Sequence, residues 1–230
     1  MQPLAMLAFG AGLLAPSLAF AVEGVIVIHP ERASRAAPEF PLIIAQPGSY
    51  RLAGNLIVPD VHTTAIEIDA DDVTIDLNGF SIVGPARCSP PPVSCVPAGG
   101  GNGVHTVNRD RIVVRNGNIQ GVGNVGVYLE TNSARIDRLS LVGNGGGGAV
   151  LFGGLISDSV SELNGGAGIA GLDITVRGSL SRDNALFGLE AYRRSSYENS
   201  RFSGNNNNGA QVNNKPAQAG GNLCNATACP

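Results

Sequence analysis

Residues 124–211 read NVGVYLETNSARIDRLSLVGNGGGGAVLFGGLISDSVSELNGGAGIAGLDITVRGSLSRDNALFGLEAYRRSSYENSRFSGNNNNGAQ. Asn124, Asn144, Asn164, Asn184 and Asn205 recur at spacings of 20, 20, 20 and 21. A few residues after each stands a glycine followed by an apolar residue: Gly126-Val127, Gly148-Ala149, Gly168-Ile169, Gly188-Leu189 and Gly209-Ala210. Gly103-Val104 begins the same series one turn earlier. A fixed period of about 20 residues marks a repeat protein whose units stack only on their neighbours. The segments between Asn and Gly are too short and glycine-rich for ordinary helices. Apolar residues alternate instead, as in Val73, Ile75, Leu77 and in Val127, Leu129. Period 2 means strand. The fold class is therefore all-β, a single-stranded parallel β-helix with one short set of strands per coil. At roughly 4.8 Å per coil, about seven coils make a rod on the order of 35 Å long.

The Asn row has a structural reading. Asn tolerates the left-handed backbone of a sharp corner, and stacked amides can hydrogen-bond from coil to coil. Gly is expected to serve corners by the same backbone logic. The row is thus expected to be a structural ladder rather than a line of ligands.

Working outward, residues 64–85 (TAIEIDADDVTIDLNGFSIVGP) form the cleanest coil. Ile66 and Ile68 share a face, an Asp71-Asp72 corner follows, and Asn78-Gly79 makes the next turn. Residues 86–102 (ARCSPPPVSCVPAGGGN) break the period and are an inserted surface loop. Residues 22–41 hold one strand candidate, Val25 to Ile28, in a capping or linking segment. Residues 216–230 (PAQAGGNLCNATACP) lack the pattern and form a tail. The helix proper spans 42–215.

The stretch QPGSYRLAGNL, followed by residues 64–85, resembles the opening of secreted bacterial right-handed parallel β-helix repeat proteins. These are similar in fold to pectate lyases, and the resemblance covers most of residues 42–215. It implies a right-handed solenoid. It implies no single activity, because such proteins include lyases, epimerases, hydrolases and many of no known activity.

Residues 1–21 read as a secretory signal: Leu4 to Phe20 is an apolar run and Ala19-Phe20-Ala21 fits small-x-small cleavage. No Lys or Arg precedes the run, so an uncleaved anchor stays open. The four cysteines fall in two close pairs, Cys88/Cys95 and Cys224/Cys229. Local pairing closes the shortest of the possible loops and agrees with export to the periplasm, the cell surface or the medium. Net charge is −3, so nucleic acid is not the expected partner. No second membrane segment is expected, and the expected state is a monomer.

Stacking the coils on their glycines sorts the side chains. Val104, Val127, Ala149, Ile169, Leu189 and Ala210 should point inward. His105, Tyr128, Val150, Ala170, Glu190 and Gln211 should point outward, joined by Val107, Glu130, Phe152, Leu172, Tyr192 and Asn213. Only 5% of residues are aromatic and Trp is absent, yet Tyr128, Phe152 and Tyr192 gather on this one face. Such a stripe means either a covering segment, from the inserted loop or the tail, or a ligand. The ligand candidate is an extended extracellular polysaccharide meeting Tyr128, Glu130, Phe152, Glu190 and Tyr192.

No catalytic constellation is recognisable. HExxH, GxSxG and P-loop motifs are absent. Glycoside hydrolysis needs two carboxyls about 5–9.5 Å apart; Glu130 and Glu190 lie three coils, roughly 14 Å, apart. Arg138 with Asp158, and Glu162 with Arg182, share offsets in adjacent coils and are expected as surface ion pairs. Arg193, Arg194 and Glu190 could supply part of a lyase or epimerase set. Asp69, Asp71, Asp72 and Asp76 could attract Ca²⁺, although the calcium-binding nonapeptide is absent. No cofactor or metal is expected otherwise. The leading expectation is a secreted carbohydrate-binding or surface-structural protein without turnover. The alternative is a polysaccharide lyase or epimerase acting on an acidic polysaccharide.

Overall fold

The structure is a computed structural model and describes residues 24–30 and 40–229. The expected signal, 1–21, lies outside the described residues, as does much of the 22–41 segment. The rest winds as a parallel β-solenoid of about nine coils, two more than the repeat count implied. One addition comes at the start, where Val25–Ile28 pairs in parallel with Gly48–Leu52. The other comes at the end. Ala217–Gln218 pairs with Ser196–Glu198, and Leu223–Cys224 pairs with Arg201–Ser203. The tail therefore continues the solenoid. Thr227–Ala228 then folds back antiparallel on Leu223–Cys224 inside the Cys224–Cys229 disulfide.

Two large sheets share the coils. The second, eight-stranded sheet runs Leu42–Ile44, Ile66–Ile68, Val104–Val107, Val127–Glu130, Ala149–Leu151, Ile169–Leu172, Leu189–Tyr192 and Val212–Asn213. Its alternating pattern buries Val127 and Leu129 and leaves Tyr128 and Glu130 half-exposed. Its register follows the glycine alignment from Val104 to Leu189. The last coil departs from it: Leu189 pairs with Val212, so Ala210 is exposed and Gln211 is buried. The 3-10 turn at Asn206–Asn208 takes up the extra residues.

The Asn ladder is real but differs from the expectation in membership and in mechanism. Asn144, Asn164, Asn184 and Asn205 are buried in one stack. The Nδ2 and backbone N–H of Asn144 both donate to Asn164 Oδ1, each at 3.0 Å, and Asn164 and Asn184 repeat the pattern upward. Gln211 ends the stack by offering its Oε1 to Asn205 in place of a next Asn. Asn124 is not a member. Asn144 Oδ1 is met by the backbone of Val122, 22 residues earlier, while Asn124 bonds Asn102. None of the four stacked Asn has a left-handed backbone. That conformation falls to the residue just before each: Gly143, Leu163, Asp183 and Gly204, with φ from 52° to 67°.

The glycines before the inward apolar residues are likewise not corner residues. Gly126, Gly148, Gly168 and Gly188 have no positive φ. They are needed for close approach: a Cβ on Gly168 would overlap Ser181 Oγ and lie 2.6 Å from Asn184 Nδ2. A second ladder escaped sequence reading. The backbone N–H of Leu139, Ser159, Ser179 and Ser200 donates in turn to Ser159, Ser179, Ser200 and Asn222 side chains.

Candidate functional site

The outward row of the second sheet is built by strand alternation and parallel register together. Ile43, Glu67, His105, Tyr128, Val150, Ala170, Glu190 and Asn213 follow one another coil by coil. Glu130, Phe152, Leu172 and Tyr192 lie two residues further on, with Leu172 directly paired to Tyr192. Glu67 was not singled out from sequence, although the alternation Ile66-Glu67-Ile68 already turns it outward. It is separated from His105 by the inserted loop, which hides the coil period.

The rings form a continuous run. His105 stacks on Tyr128 with centroids 5.2 Å apart, and Tyr128 meets Phe152 at 5.9 Å and a tilt of 51°. His105 Nδ1 lies 2.8 Å from Glu67 Oε2, which fixes the imidazole edge. The Tyr128 hydroxyl donates to Glu130 Oε2 at 3.5 Å. Partial burial, then the Glu130 charge, pushes the Tyr128 phenol above its ordinary value. Tyr192, 42% exposed, donates to Glu190 Oε1 at 2.9 Å. Glu190 also accepts from Asn213 Nδ2 at 3.5 Å. Each carboxylate is thus oriented by a neutral neighbour. Beside Phe152 lies a depression of about 250 Å³, lined also by Asn108, Glu130, Thr131, Asn132, Leu172, Asp173 and Arg193.

The covering segments proposed from sequence lie elsewhere. The inserted loop runs along the Asn corner: the sulfurs of Cys88 and Cys95, joined in a disulfide, both approach Asn144 O, at 3.7 and 3.6 Å. Its glycines abut Val61 and Thr63. The tail lies in the other sheet, paired on Arg201–Ser203.

The other candidate groups are engaged. Arg182 Nη2 meets Glu162 Oε2 at 2.8 Å, as aligned. Arg138 and Asp158 occupy equivalent corners but do not pair. Arg138 turns instead to the buried Asp137, at 2.9 Å from its Oδ2, and to Asn116 Oδ1 at 2.8 Å. Arg194 Nε sits 3.2 Å from Asp173 Oδ1, and Arg193 also leans on Asp173. These bonds hold the Asp173 carboxyl below the usual carboxylate range. They draw both arginines away from Glu190, whose partners are Tyr192 and Asn213, so the three do not converge. In the acidic run, Asp69 pairs with Arg109, Asp72 with Arg111 and Asp76 with Arg115. Among the described residues, no group of three or more His, Cys, Asp or Glu is arranged to hold a metal ion. No helix among them is long and apolar enough to cross a membrane.

The chain matches no protein-family model, no curated protein and no solved structure.

Proposed function

We propose that this solenoid is an exported protein, wound right-handed, that binds an extended extracellular polysaccharide along the outer face of its second sheet without turning it over. The observation that carries this reading is the ring run His105–Tyr128–Phe152. Aromatic faces stack on the apolar faces of sugar rings, and oriented carboxylates and amides accept from sugar hydroxyls. Here rings stand on three successive coils, at His105, Tyr128 and Phe152, so neighbouring coils offer stacking surfaces to neighbouring sugars of a linear chain. Two local disulfides support an oxidising destination. A binder needs no paired acid and base, and the separation of Glu130 from Glu190 by three strands suits that role.

The test is affinity electrophoresis and calorimetry on a polysaccharide panel. Retention by at least one glycan, reduced about tenfold in Tyr128→Ala and in Phe152→Ala, is expected. A parallel assay for unsaturated uronates, with and without Ca²⁺, should stay at baseline. Failure of every glycan to retard the folded protein would sink the reading.

A further inference from the structure

We infer that the glycan taken by this face is uncharged, and that the face is built against uronates; this rests on the carbohydrate-binding reading above. The argument is charge complementarity. The outward rows carry Glu67, Glu130 and Glu190 and contain no Arg or Lys. Glu67 is matched by the His105 imidazole. Glu130 and Glu190 bond only to neutral groups, the hydroxyls of Tyr128 and Tyr192 and the amide of Asn213. Arginine enters only at the corner. There Arg193, at the edge of the depression beside Phe152, and Arg194 both lean on Asp173, whose carboxylate offsets one of the two charges.

A uronate chain would place one carboxylate per sugar over this surface. Glu130 and Glu190, held only by hydroxyl and amide partners, would then meet it in a partly desolvated site where like charges repel more strongly than in water. A hydroxyl-rich uncharged sugar fits the same groups. The depression beside Phe152 offers Phe152 and Leu172 as apolar lining, with Glu130, Asn108 and Asn132 as polar rim and the Asp173–Arg193 pair at its edge. At about 250 Å³ it lies below the usual range for drug-sized ligands and takes one sugar ring at a time.

Calorimetry of the full chain with cellohexaose, mannohexaose and hexagalacturonate decides the matter, run at low and high NaCl and with EDTA or Ca²⁺. At least one uncharged hexamer should bind with little salt dependence. Hexagalacturonate should bind at least tenfold more weakly at low salt, the gap narrowing as salt screens the repulsion. The double variant Glu130→Gln/Glu190→Gln should narrow the gap between hexagalacturonate and the uncharged hexamer severalfold, because the like charges are gone, and an unchanged gap overturns the charge argument. Phe152→Tyr should retain binding where Phe152→Ala loses it, which separates ring stacking from misfolding. Tighter binding of hexagalacturonate than of either uncharged hexamer, with or without Ca²⁺, overturns the inference and leaves the glycan-binding reading standing. Binding of none of the three, by protein with an unchanged melting temperature, overturns both.

Discussion

The two halves of the solenoid are filled differently. Before residue 130 the buried side chains are aliphatic almost throughout, from Leu52, Ile66 and Ile75 to Ile119 and Leu129, with Asp76, Asn102 and Thr106 the polar exceptions. After residue 140 the interior carries Asn144, Asn164, Asn184, Asn205 and Gln211, together with Ser159, Ser161, Ser179, Ser181 and Ser200. Coil length changes with the filling. In the polar half successive partners lie 20 or 21 residues apart. In the aliphatic half Val25 pairs with Ser49 and Gly48 with Val73, and the loop-bearing coil separates His105 from Glu67 by 38 residues. Apolar contact is non-directional, so an aliphatic coil can lengthen and still bury its residues. An amide stack is directional. A slip of the side chains out of register would leave buried donors and acceptors unmet, so these coils hold their length to within a residue.

The sharpest way to break that contrast is to remove one amide from each side of it. Asn164 receives both N–H groups of Asn144 and donates to Leu141 O, Ser161 Oγ and Asn184 Oδ1. Asn164→Ala would take from the buried Asn144 N–H and Leu141 carbonyl the partners that Asn164 supplies. The expected loss is about 3–5 kcal/mol, since each buried orphan costs roughly 1–3 kcal/mol. Asn124 is only half-buried, and its amide makes one side-chain bond, to Asn102 at 3.2 Å. Asn124→Ala should cost about 1 kcal/mol or less. Urea unfolding of both variants checks this, and equal losses would dissolve the distinction.

A second probe adds volume instead of removing a bond. Gly168→Ala drives a methyl into Ser181 and Asn184. Overpacking of this kind should cost about 1–3 kcal/mol. Gly79 has φ of 80° and open space around it, so Ala there strains only the backbone, by about 1 kcal/mol. Thermal melts that rank Gly79→Ala above Gly168→Ala in damage would argue that these glycines serve conformation rather than close approach.

The same contrast explains what could be read from the sequence. The alternation of Val127 and Leu129 with Tyr128 and Glu130 needs only the geometry of a strand, and the parallel solenoid followed from it. The disulfide pairing of close cysteines was equally local. Ladder membership was not local. The Asn ruler and the Gly ruler disagreed at the first coil, where Asn124 to Asn144 is 20 residues and Gly126 to Gly148 is 22. Only the register shows that the 20 is accidental there. At the last coil the glycine ruler fails instead, because Gln211 reaches inward to close the stack. The serine ladder carried the same spacing as the asparagines, yet Ser is so common on surfaces that the repeat did not stand out. Glu67 was hidden by the loop that separates it from His105.

The smallest expected effect concerns the exposed corners of the aliphatic half. Arg111 bonds Asp72 through Nε at 2.5 Å and Nη2 at 2.8 Å, bridging the coils on either side of the inserted loop. This bond holds the Asp72 carboxyl below its ordinary value against desolvation, which opposes it, and the Arg111 charge adds to the lowering. A depressed carboxyl contributes stability that is present above its unfolded value, near 3.9, and is lost as pH falls through the folded value. Melting temperature should therefore fall more steeply below about pH 4 in the wild type than in Asp72→Asn, with the two differing little in slope near pH 7. High salt should shrink the difference, because both partners face solvent. Asn164→Ala, by contrast, should lose the same increment at every pH and salt concentration, since nothing in the amide stack titrates. A salt-dependent defect in Asn164→Ala would mean that the two halves share one electrostatic lock after all.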